Sequence, residues 1–166
     1  NVERRRDTGE RVAVRPGGNV VLGGSTFAVE LDPLFRVVGY PGSSLLAQGT
    51  YNFAMQTAVT PGDTLFFRGS TGGEIYRLVD GAPRPQRLRA GVSGPGSFTA
   101  LRDGSVVVVD SVSRRAVRLA NRRPVPLPLY THESAYIAAI AAGPAGGIWS
   151  FDAVERRITV FTPEGA

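Results

Sequence analysis

The amino-acid sequence predicts an all-β fold made of repeated sheets, and the regular spacing of its short strands is the main reason. Four apolar strands each follow a turn that contains proline or glycine. They begin at Asn19, Thr64, Ser105 and Gly147, so that successive starts are 45, 41 and 42 positions apart. A repeat of about 40–50 residues that contains only strands is typical of a β-propeller. We therefore predict a β-propeller of four-stranded antiparallel blades.

Each repeat is predicted to supply strands a, b, c and d, in order from the inside of the ring outwards. The predicted a strands are residues 12–14, 53–59, 98–101 and 137–141. The b strands are residues 19–22, 64–67, 105–108 and 147–150. The c strands are residues 27–31, 75–78, 116–119 and 158–161. The d strands are residues 35–38, 86–89 and 125–129.

Two of these strands carry signals about their position in a blade. Four consecutive valines, from Val106 to Val109, predict a strand covered on both faces, because a half-exposed strand would alternate apolar and polar residues. Residues 125–129 alternate with proline, which cannot donate a backbone hydrogen bond. We therefore place residues 125–129 at the edge of a sheet.

The repeats predict about four blades in one domain. The blades span approximately residues 11–40, 51–89, 97–129 and 136–166, and the fourth ends after its c strand. One hypothesis is that residues 1–6 pair as its missing outer strand, which would protect an exposed sheet edge. Four blades fit either a partial six-bladed ring or a closed four-bladed ring.

Composition sets broad limits on the function. The chain has 166 residues, no cysteine and a net charge of +5, and it contains no stretch of about 20 apolar residues that could cross a membrane as a helix. Disulfides are therefore excluded. All 19 basic residues are arginine, which fits either a GC-rich genome or selection for binding anions. No signal-peptide pattern occurs in the sequence, and an extracytoplasmic bacterial location is favoured over others.

Two stretches resemble the NHL-repeat family and the related six-bladed propellers of bacteria. Residues 90–119 contain a glycine-rich loop, a phenylalanine, an Asp-Gly turn, a strand that ends in Asp110 and an arginine before the next strand. Residues 146–165 repeat the second half, with Asp152, Arg156 or Arg157, and a closing Pro-x-Gly turn. The first two repeats are looser, since Gly24 and Gly69 stand where the pattern has aspartate. The resemblance implies six blades, of which this chain holds about four.

The predicted chain direction places the b–c and d–a loops at one end of the blades, where propellers commonly bind their ligands. The loop at residues 130–136 breaks the repeat and holds the only histidine. The candidate binding residues at this end are Tyr130, His132, Glu133, Tyr136, Arg114, Arg115, Arg156 and Arg157. His132 and Glu133 suggest a general base pair or metal ligands, and a solvated loop histidine is the alternative that we favour. We predict no catalytic residue, no metal site and no cofactor.

Three further features have a structural and a functional explanation each. Asp110 and Asp152 occupy equivalent positions, and we favour a structural role in which they accept loop N–H groups and pair with nearby arginines over a ring that grips a ligand. Trp149 is predicted to lie in the core between blades. A phosphate loop at residues 91–96 is rejected, because Pro95 removes a donor and a strand follows.

These observations leave three candidate functions open. The first is a non-catalytic binding or scaffold propeller that recognises a protein, a peptide or a small-molecule ligand. The second is a metal-dependent hydrolase of the gluconolactonase-like or arylesterase-like propellers, whose metal-binding motifs do not occur at matching positions in this sequence. The third is RNA binding, as in some NHL propellers. Nucleic acid is disfavoured as a partner because the arginines are interleaved with acidic residues.

Overall fold

The computed structural model describes residues 11–23, 28–41, 56–68, 74–78, 86–89, 96–110, 113–120, 123–143 and 145–165. Three of the features predicted above lie outside these ranges: the outer strand at residues 1–6, the positions of Gly24 and Gly69, and residues 91–95. The described residues form fifteen strands and no helix. No helix long and apolar enough to span a membrane occurs in this described part of the chain.

The strands form four antiparallel sheets, each built from strands that are consecutive in the chain. Blade 1 contains β1 (Arg11–Val14), β2 (Val20–Gly23), β3 (Ala28–Leu31) and β4 (Val37–Gly39). Blade 2 contains β5 (Gln56–Val59), β6 (Leu65–Arg68), β7 (Glu74–Leu78) and β8 (Gln86–Arg89). Blade 3 contains β9 (Phe98–Ala100), β10 (Val106–Asp110), β11 (Arg115–Ala120) and β12 (Arg123–Leu127). Blade 4 contains β13 (Ile137–Ala142), β14 (Ile148–Asp152) and β15 (Arg157–Phe161).

The innermost strands of successive blades contact one another in the order β1, β5, β9 and β13. This arrangement confirms the predicted propeller of antiparallel blades, four-stranded in blades 1 to 3. The four strands line a cavity of about 540 Å³, and its wall includes Val14, Thr57, Phe98 and Ala141. Ser97 Oγ and Thr99 Oγ1 of blade 3 accept the N–H groups of Ile140 and Ala142, each at 3.1 Å. These side-chain acceptors satisfy N–H groups on the inner edge of blade 4.

The turn between strands a and b has the same geometry in all four blades, which shows that the sequence repeat is a structural one. In blade 3 the Gly104 N–H donates to Leu101 O at 3.0 Å, and the Leu101 N–H donates to Ser105 O at 2.8 Å. Each turn also has a left-handed residue with a φ between 61° and 88°. These residues are Gly18, Asp63, Gly104 and Gly146. Glycine adopts this conformation without strain, and Asp63 is the exception.

Each pair of adjacent blades encloses its own apolar core. Val21 and Ala28 of blade 1 pack with Leu65, Phe67 and Tyr76 of blade 2. The larger cores between blades 2 and 3 and between blades 3 and 4 both draw on the valines of β10. Every residue of β10 is buried, as predicted for a strand covered on both faces. Burying a valine side chain contributes about 1.5–3 kcal/mol, so β10 is a main source of stability.

The prolines of β12 lie where the sequence predicted. This strand is the outermost of blade 3 and pairs only with β11, with Pro124 opposite Leu119 and Pro126 opposite Val117. An edge strand tolerates proline because one side of it needs no ladder hydrogen bonds.

Trp149, which is predicted to lie in the core between blades, is not covered by any blade among the described residues. Along β14 the side chains of Ile148, Ser150 and Asp152 are buried on the side of blade 3. Trp149 and Phe151 lie on the opposite face of the strand, and Trp149 is 45% exposed. Ile158 and Val160 of β15 are exposed on the same sheet. Residues alternate between the two faces of a strand, so the register of β14 fixes this outcome. Val12 and Val14 of blade 1 are likewise exposed, while Ala13 between them is buried.

Candidate functional site

The b–c and d–a loops of blades 3 and 4 meet at one end of the propeller, as the predicted chain direction requires. We call this end the loop face and define it by residues 113–114, 128–136 and 153–156. The Tyr130 hydroxyl donates to the backbone oxygen of Asp110 at 3.0 Å. The Arg114 guanidinium donates to the backbone oxygen of His132, and it lies over the Tyr130 ring at 5.5 Å from the centroid. The structure therefore brings together Arg114, Tyr130 and His132, which are three of the predicted binding residues.

Asp110 and Asp152 hold the two b–c loops in one shape. Asp110 Oδ1 accepts the Ser113 N–H at 3.0 Å, and Asp152 Oδ1 accepts the Val154 and Glu155 N–H groups at 2.8 and 3.2 Å. Four residues after each aspartate, Arg114 and Arg156 both have a φ of 53°. These contacts agree with the first part of the predicted structural role, in which both aspartates accept loop N–H groups.

The Asp152 carboxylate also faces the loop before blade 4. The Tyr136 N–H donates to its Oδ1 at 3.4 Å. Although burial opposes the shift, the N–H groups of Glu155, Val154 and Tyr136 and the charge of His132 hold the pKa of Asp152 below its usual value. The carboxylate is therefore ionised at neutral pH, and its second oxygen remains available for other contacts.

His132 contacts Asp152 and Glu155, and not the adjacent Glu133. Its Nε2 lies 3.4 Å from Asp152 Oδ2 and 3.0 Å from Glu155 Oε1. Neither contact has the geometry of a hydrogen bond, and the Nε2 atom is buried without a hydrogen-bond partner among the described residues. Its Nδ1 lies 2.9 Å from Ser134 Oγ. Glu133 is exposed and is not part of this group, which we call the histidine–carboxylate group (His132, Asp152 and Glu155).

Two arginines and Tyr130 complete the electrostatics of the loop face. Arg157 Nη2 lies 2.9 Å from Glu155 Oε2. Burial and the negative charge of Asp110 raise the pKa of Tyr130 to about 12, against the opposing charge of Arg114. The Tyr130 phenol therefore stays neutral under ordinary conditions and acts as a hydrogen-bond donor that positions the loop.

The remaining predicted residues lie at the same end but do not all converge. Arg115 begins β11, directly opposite Asp110 in the ladder. Arg156 is exposed at the tip of its loop. Tyr136 is 47% exposed, and its backbone oxygen accepts the Ala153 N–H at 2.9 Å. The sequence favours a structural role for Asp152 over a part in a ligand-binding ring, and it gives no signal for Glu155. No local pattern links either residue to His132, which lies about 20 positions earlier in the chain.

The chemistry of the histidine–carboxylate group is that of a cation site or of a charged hydrogen-bonding site. One imidazole nitrogen and two carboxylates offer ligand atoms that all lie within 4.8 Å of one another. The cavity lined by β1, β5, β9 and β13 offers threonine hydroxyls, backbone groups and apolar side chains, and none of its described lining residues is charged. The loop face therefore holds the chemically richer site.

The sequence matches no protein-family profile and no curated protein. Its structure resembles a streptogramin B lyase, with a TM-score of 0.73 and 16% identity over 100% of this chain and 55% of that one. It also resembles a catalytically inactive virginiamycin B lyase from Staphylococcus aureus with quinupristin, with a TM-score of 0.72 and 12% identity over 100% of this chain and 56% of that one. A third similar structure is a calcium-binding regucalcin from Agrobacterium tumefaciens, with a TM-score of 0.64 and 17% identity over 93% of this chain and 57% of that one.

The likeness agrees with the strand order described above. The chain is a β-propeller. It spans about half the length of the solved chains it matches. At these levels of identity the likeness shows the fold alone, because one propeller scaffold supports many unrelated sites.

Proposed function

We propose that this chain is a non-catalytic binding propeller that recognises a protein, a peptide or a small-molecule ligand through the loop face. The observation that carries the proposal is a fixed backbone that displays exposed polar and aromatic side chains. Asp110, Asp152 and Tyr130 hold the loops in place, while Glu133, Tyr136 and Arg156 are exposed on them. A preorganised surface of this kind loses little conformational entropy when it binds.

The loop face also suits recognition because its charges are of both signs. Arg114 and Arg156 lie within the same set of loops as Glu133 and Glu155, and Arg157 follows at the start of β15. Tyrosine and arginine are the side chains that contribute most at protein interfaces, since each combines apolar contact with hydrogen bonding. A partner with its own mixed charges, such as a peptide segment, fits this surface better than a uniformly charged polymer does.

A random-peptide display library panned against the immobilised chain tests this proposal. We expect selected peptides to bind at least about tenfold more weakly to Tyr136→Ala and Arg156→Ala variants, because a buried aromatic or arginine contact contributes about 1–2 kcal/mol. Arg102→Ala is the matched control, since Arg102 is an exposed arginine in the a–b turn of blade 3, at the opposite end. Peptides that respond to Arg102→Ala and ignore both loop-face variants would overturn the assignment of the binding end.

We also propose that the repeats are of the NHL type and that the chain forms part of a six-bladed ring. The equivalent loops after Asp110 and Asp152 support the first point. The apolar side chains exposed on blade 4, such as Trp149 and Val160, support the second, because inside a ring such a face packs against a neighbouring blade. The molecular mass in solution, together with small-angle scattering, tests whether the chain is part of a six-bladed ring. A closed, compact ring at the mass of one chain would contradict the partial-ring proposal.

A metal-dependent hydrolase is the second candidate function, and the histidine–carboxylate group is the observation that favours it. Zinc and related ions held by histidine and carboxylates can activate water. The test is a panel of a δ-lactone, an aryl ester and quinupristin, assayed with and without added Zn²⁺, Mn²⁺ or Ca²⁺. If the chain is a non-catalytic binding propeller, none of these substrates is turned over. Turnover that requires the metal and is lost in His132→Ala would show instead that the chain is a metal-dependent hydrolase.

A further inference from the structure

We propose that His132, Asp152 and Glu155 form a binding site for a divalent first-row transition cation such as Zn²⁺, where blades 3 and 4 meet on the loop face. The inference goes beyond the proposed function, since it assigns an ion to a site whether or not the loop face also binds a peptide. It rests on three observations: the spacing of the ligand atoms, the way each side chain is fixed, and the buried histidine nitrogen without a hydrogen-bond partner.

The distances between the ligand atoms match those around a small cation. Zinc lies about 2.0–2.2 Å from histidine nitrogen and carboxylate oxygen. Two ligands at that distance are about 3.0 Å apart when they subtend a right angle, and about 3.4 Å apart at a tetrahedral angle. His132 Nε2 lies 3.0 Å from Glu155 Oε1 and 3.4 Å from Asp152 Oδ2. Both distances from the histidine nitrogen to a carboxylate oxygen therefore match those around one small cation, and the ligand atoms of the three residues all lie within 4.8 Å of one another.

Each ligand is held by a contact at its other polar atom, as is usual around a metal. His132 Nδ1 contacts Ser134 Oγ at 2.9 Å, so that an N–H at Nδ1 leaves the lone pair of Nε2 directed into the group. Asp152 Oδ1 accepts loop N–H groups, and Oδ2 faces His132. Arg157 contacts Glu155 Oε2, and Oε1 faces His132. All three side chains therefore turn one fixed, free atom toward the same point.

His132 Nε2 is buried within 3.4 Å of two carboxylate oxygens and makes a hydrogen bond to neither of them. A buried nitrogen without a hydrogen-bond partner is destabilising, and an ion pair with a protonated imidazole offsets only part of that cost. A cation that accepts the Nε2 lone pair would remove the cost and would also neutralise the two carboxylates. Asp110, the equivalent aspartate of blade 3, holds its loop in the same way, yet no histidine–carboxylate group forms around it among the described residues. The group is therefore specific to blade 4.

The donor set indicates the class of ion. One imidazole and two carboxylates suit zinc and its first-row neighbours, whereas Ca²⁺ takes six to eight oxygen ligands at about 2.3–2.6 Å and has no use for the imidazole. Three protein ligands also leave a coordination position for water or for an anionic group of a bound molecule. Glu155 is partly exposed, so such a group could reach the ion from solvent.

Isothermal titration of the chelator-treated chain with ZnCl₂ alone tests the site. We expect one saturable Zn²⁺ site per chain in the wild type and no competition from a large excess of Ca²⁺. His132→Ala and Glu155→Gln are each expected to weaken binding by at least about tenfold. Glu133→Gln is the matched control, because it removes a neighbouring exposed carboxylate outside the group, and it should bind as the wild type does.

The outcomes separate this inference from the proposed function. No saturable Zn²⁺ binding to the wild type, or equal binding to wild type and His132→Ala, would overturn the site. Weakening in both ligand variants while the metal-free thermal midpoints match the wild type supports it, since a folding defect would lower those midpoints. If Zn²⁺ fails to bind while selected peptides still respond to Tyr136→Ala, only the metal site is wrong. If Zn²⁺ binds and no peptide does, only the peptide-binding proposal is wrong.

Discussion

The Arg15 guanidinium of blade 1 binds the Asp63 carboxylate of blade 2 through two parallel hydrogen bonds, Nε to Oδ1 at 2.7 Å and Nη2 to Oδ2 at 2.8 Å. The same guanidinium lies 3.2 Å from Glu30 of its own blade. Asp63 occupies the left-handed position that glycine fills in the other three a–b turns. The strain at Asp63 is therefore offset by an ion pair between blades, which a glycine could not form.

We expect Asp63→Asn to lower the free energy of unfolding by about 1 kcal/mol at neutral pH, because it removes the charge of the pair. Asparagine tolerates the left-handed conformation, so the turn itself is kept. The hydrogen bond and charge of Arg15 outweigh burial and lower the pKa of Asp63 from 3.8. The stability from this pair is therefore complete above pH 3.8 and is lost as the pH falls through the lowered pKa. Urea unfolding at several pH values measures the difference, and a gap of unchanged size at low pH would contradict this explanation.

We expect Gly96→Ala to destabilise the chain by about 3 kcal/mol or more. A Cβ at this position would lie 1.8 Å from Val109 O and 2.7 Å from its carbonyl carbon, both backbone atoms of β10 that cannot move aside easily. Gly17→Ala is the matched control, because a Cβ there meets nothing within 4 Å. Thermal unfolding of both variants checks the prediction, which fails if the two midpoints are lowered equally.

We expect Arg156→Gly to raise the free energy of unfolding by about 0.5 kcal/mol. Arg156 has a φ of 53°, and this left-handed conformation costs a residue with a side chain about 1–2 kcal/mol. Glycine avoids that cost, but it loses more backbone entropy on folding, which cancels part of the gain in stability. Arg115→Gly removes the same charge from the start of β11, where glycine weakens a strand, and should lower stability instead. Chemical unfolding of both variants measures the two changes in stability. A loss of stability in Arg156→Gly would show that its side chain makes a stabilising contact.

We expect Tyr130→Phe to lower the free energy of unfolding by about 1 kcal/mol at neutral pH, because the hydrogen bond to Asp110 O is lost. Burial and the charge of Asp110 raise the pKa of Tyr130 from 10.0 to about 12. The unfolded tyrosine therefore ionises first, and its contribution to stability, complete below pH 10, is lost as the pH rises towards 12. Unfolding measured over this range should show a smaller decline for Tyr130→Phe than for the wild type. Parallel curves for the two proteins would refute the raised pKa.

The fluorescence of Trp149, the only tryptophan of the chain, should be quenched readily by acrylamide because the residue is 45% exposed. The degree of quenching should not change with protein concentration, and a small tryptophan amide gives the fully exposed reference. Quenching that weakens as the concentration rises would mean that another copy of the chain covers this face of blade 4.

Much of the fold could be predicted from sequence, because its signals are local. The strand spacing, the glycines at 18, 104 and 146, the four valines of β10 and the prolines of β12 each act through backbone conformation or burial within one blade. The equivalence of the two b–c loops is also predictable, since Asp110 and Asp152 lie at the same offset from their strands. A repeat can be recognised from sequence because every copy obeys the same local constraints.

The sequence by itself determined that this chain is a propeller whose b–c and d–a loops lie at the same end of the blades. Only the tertiary structure decided that His132 contacts Asp152 and Glu155 and not Glu133, because the first two come from the b–c loop of the next blade. It also decided that Trp149 is exposed, since this depends on the β14 face that blade 3 covers. Local patterns specify backbone shape, whereas a site formed by two loops depends on how blades pack, which no short stretch encodes.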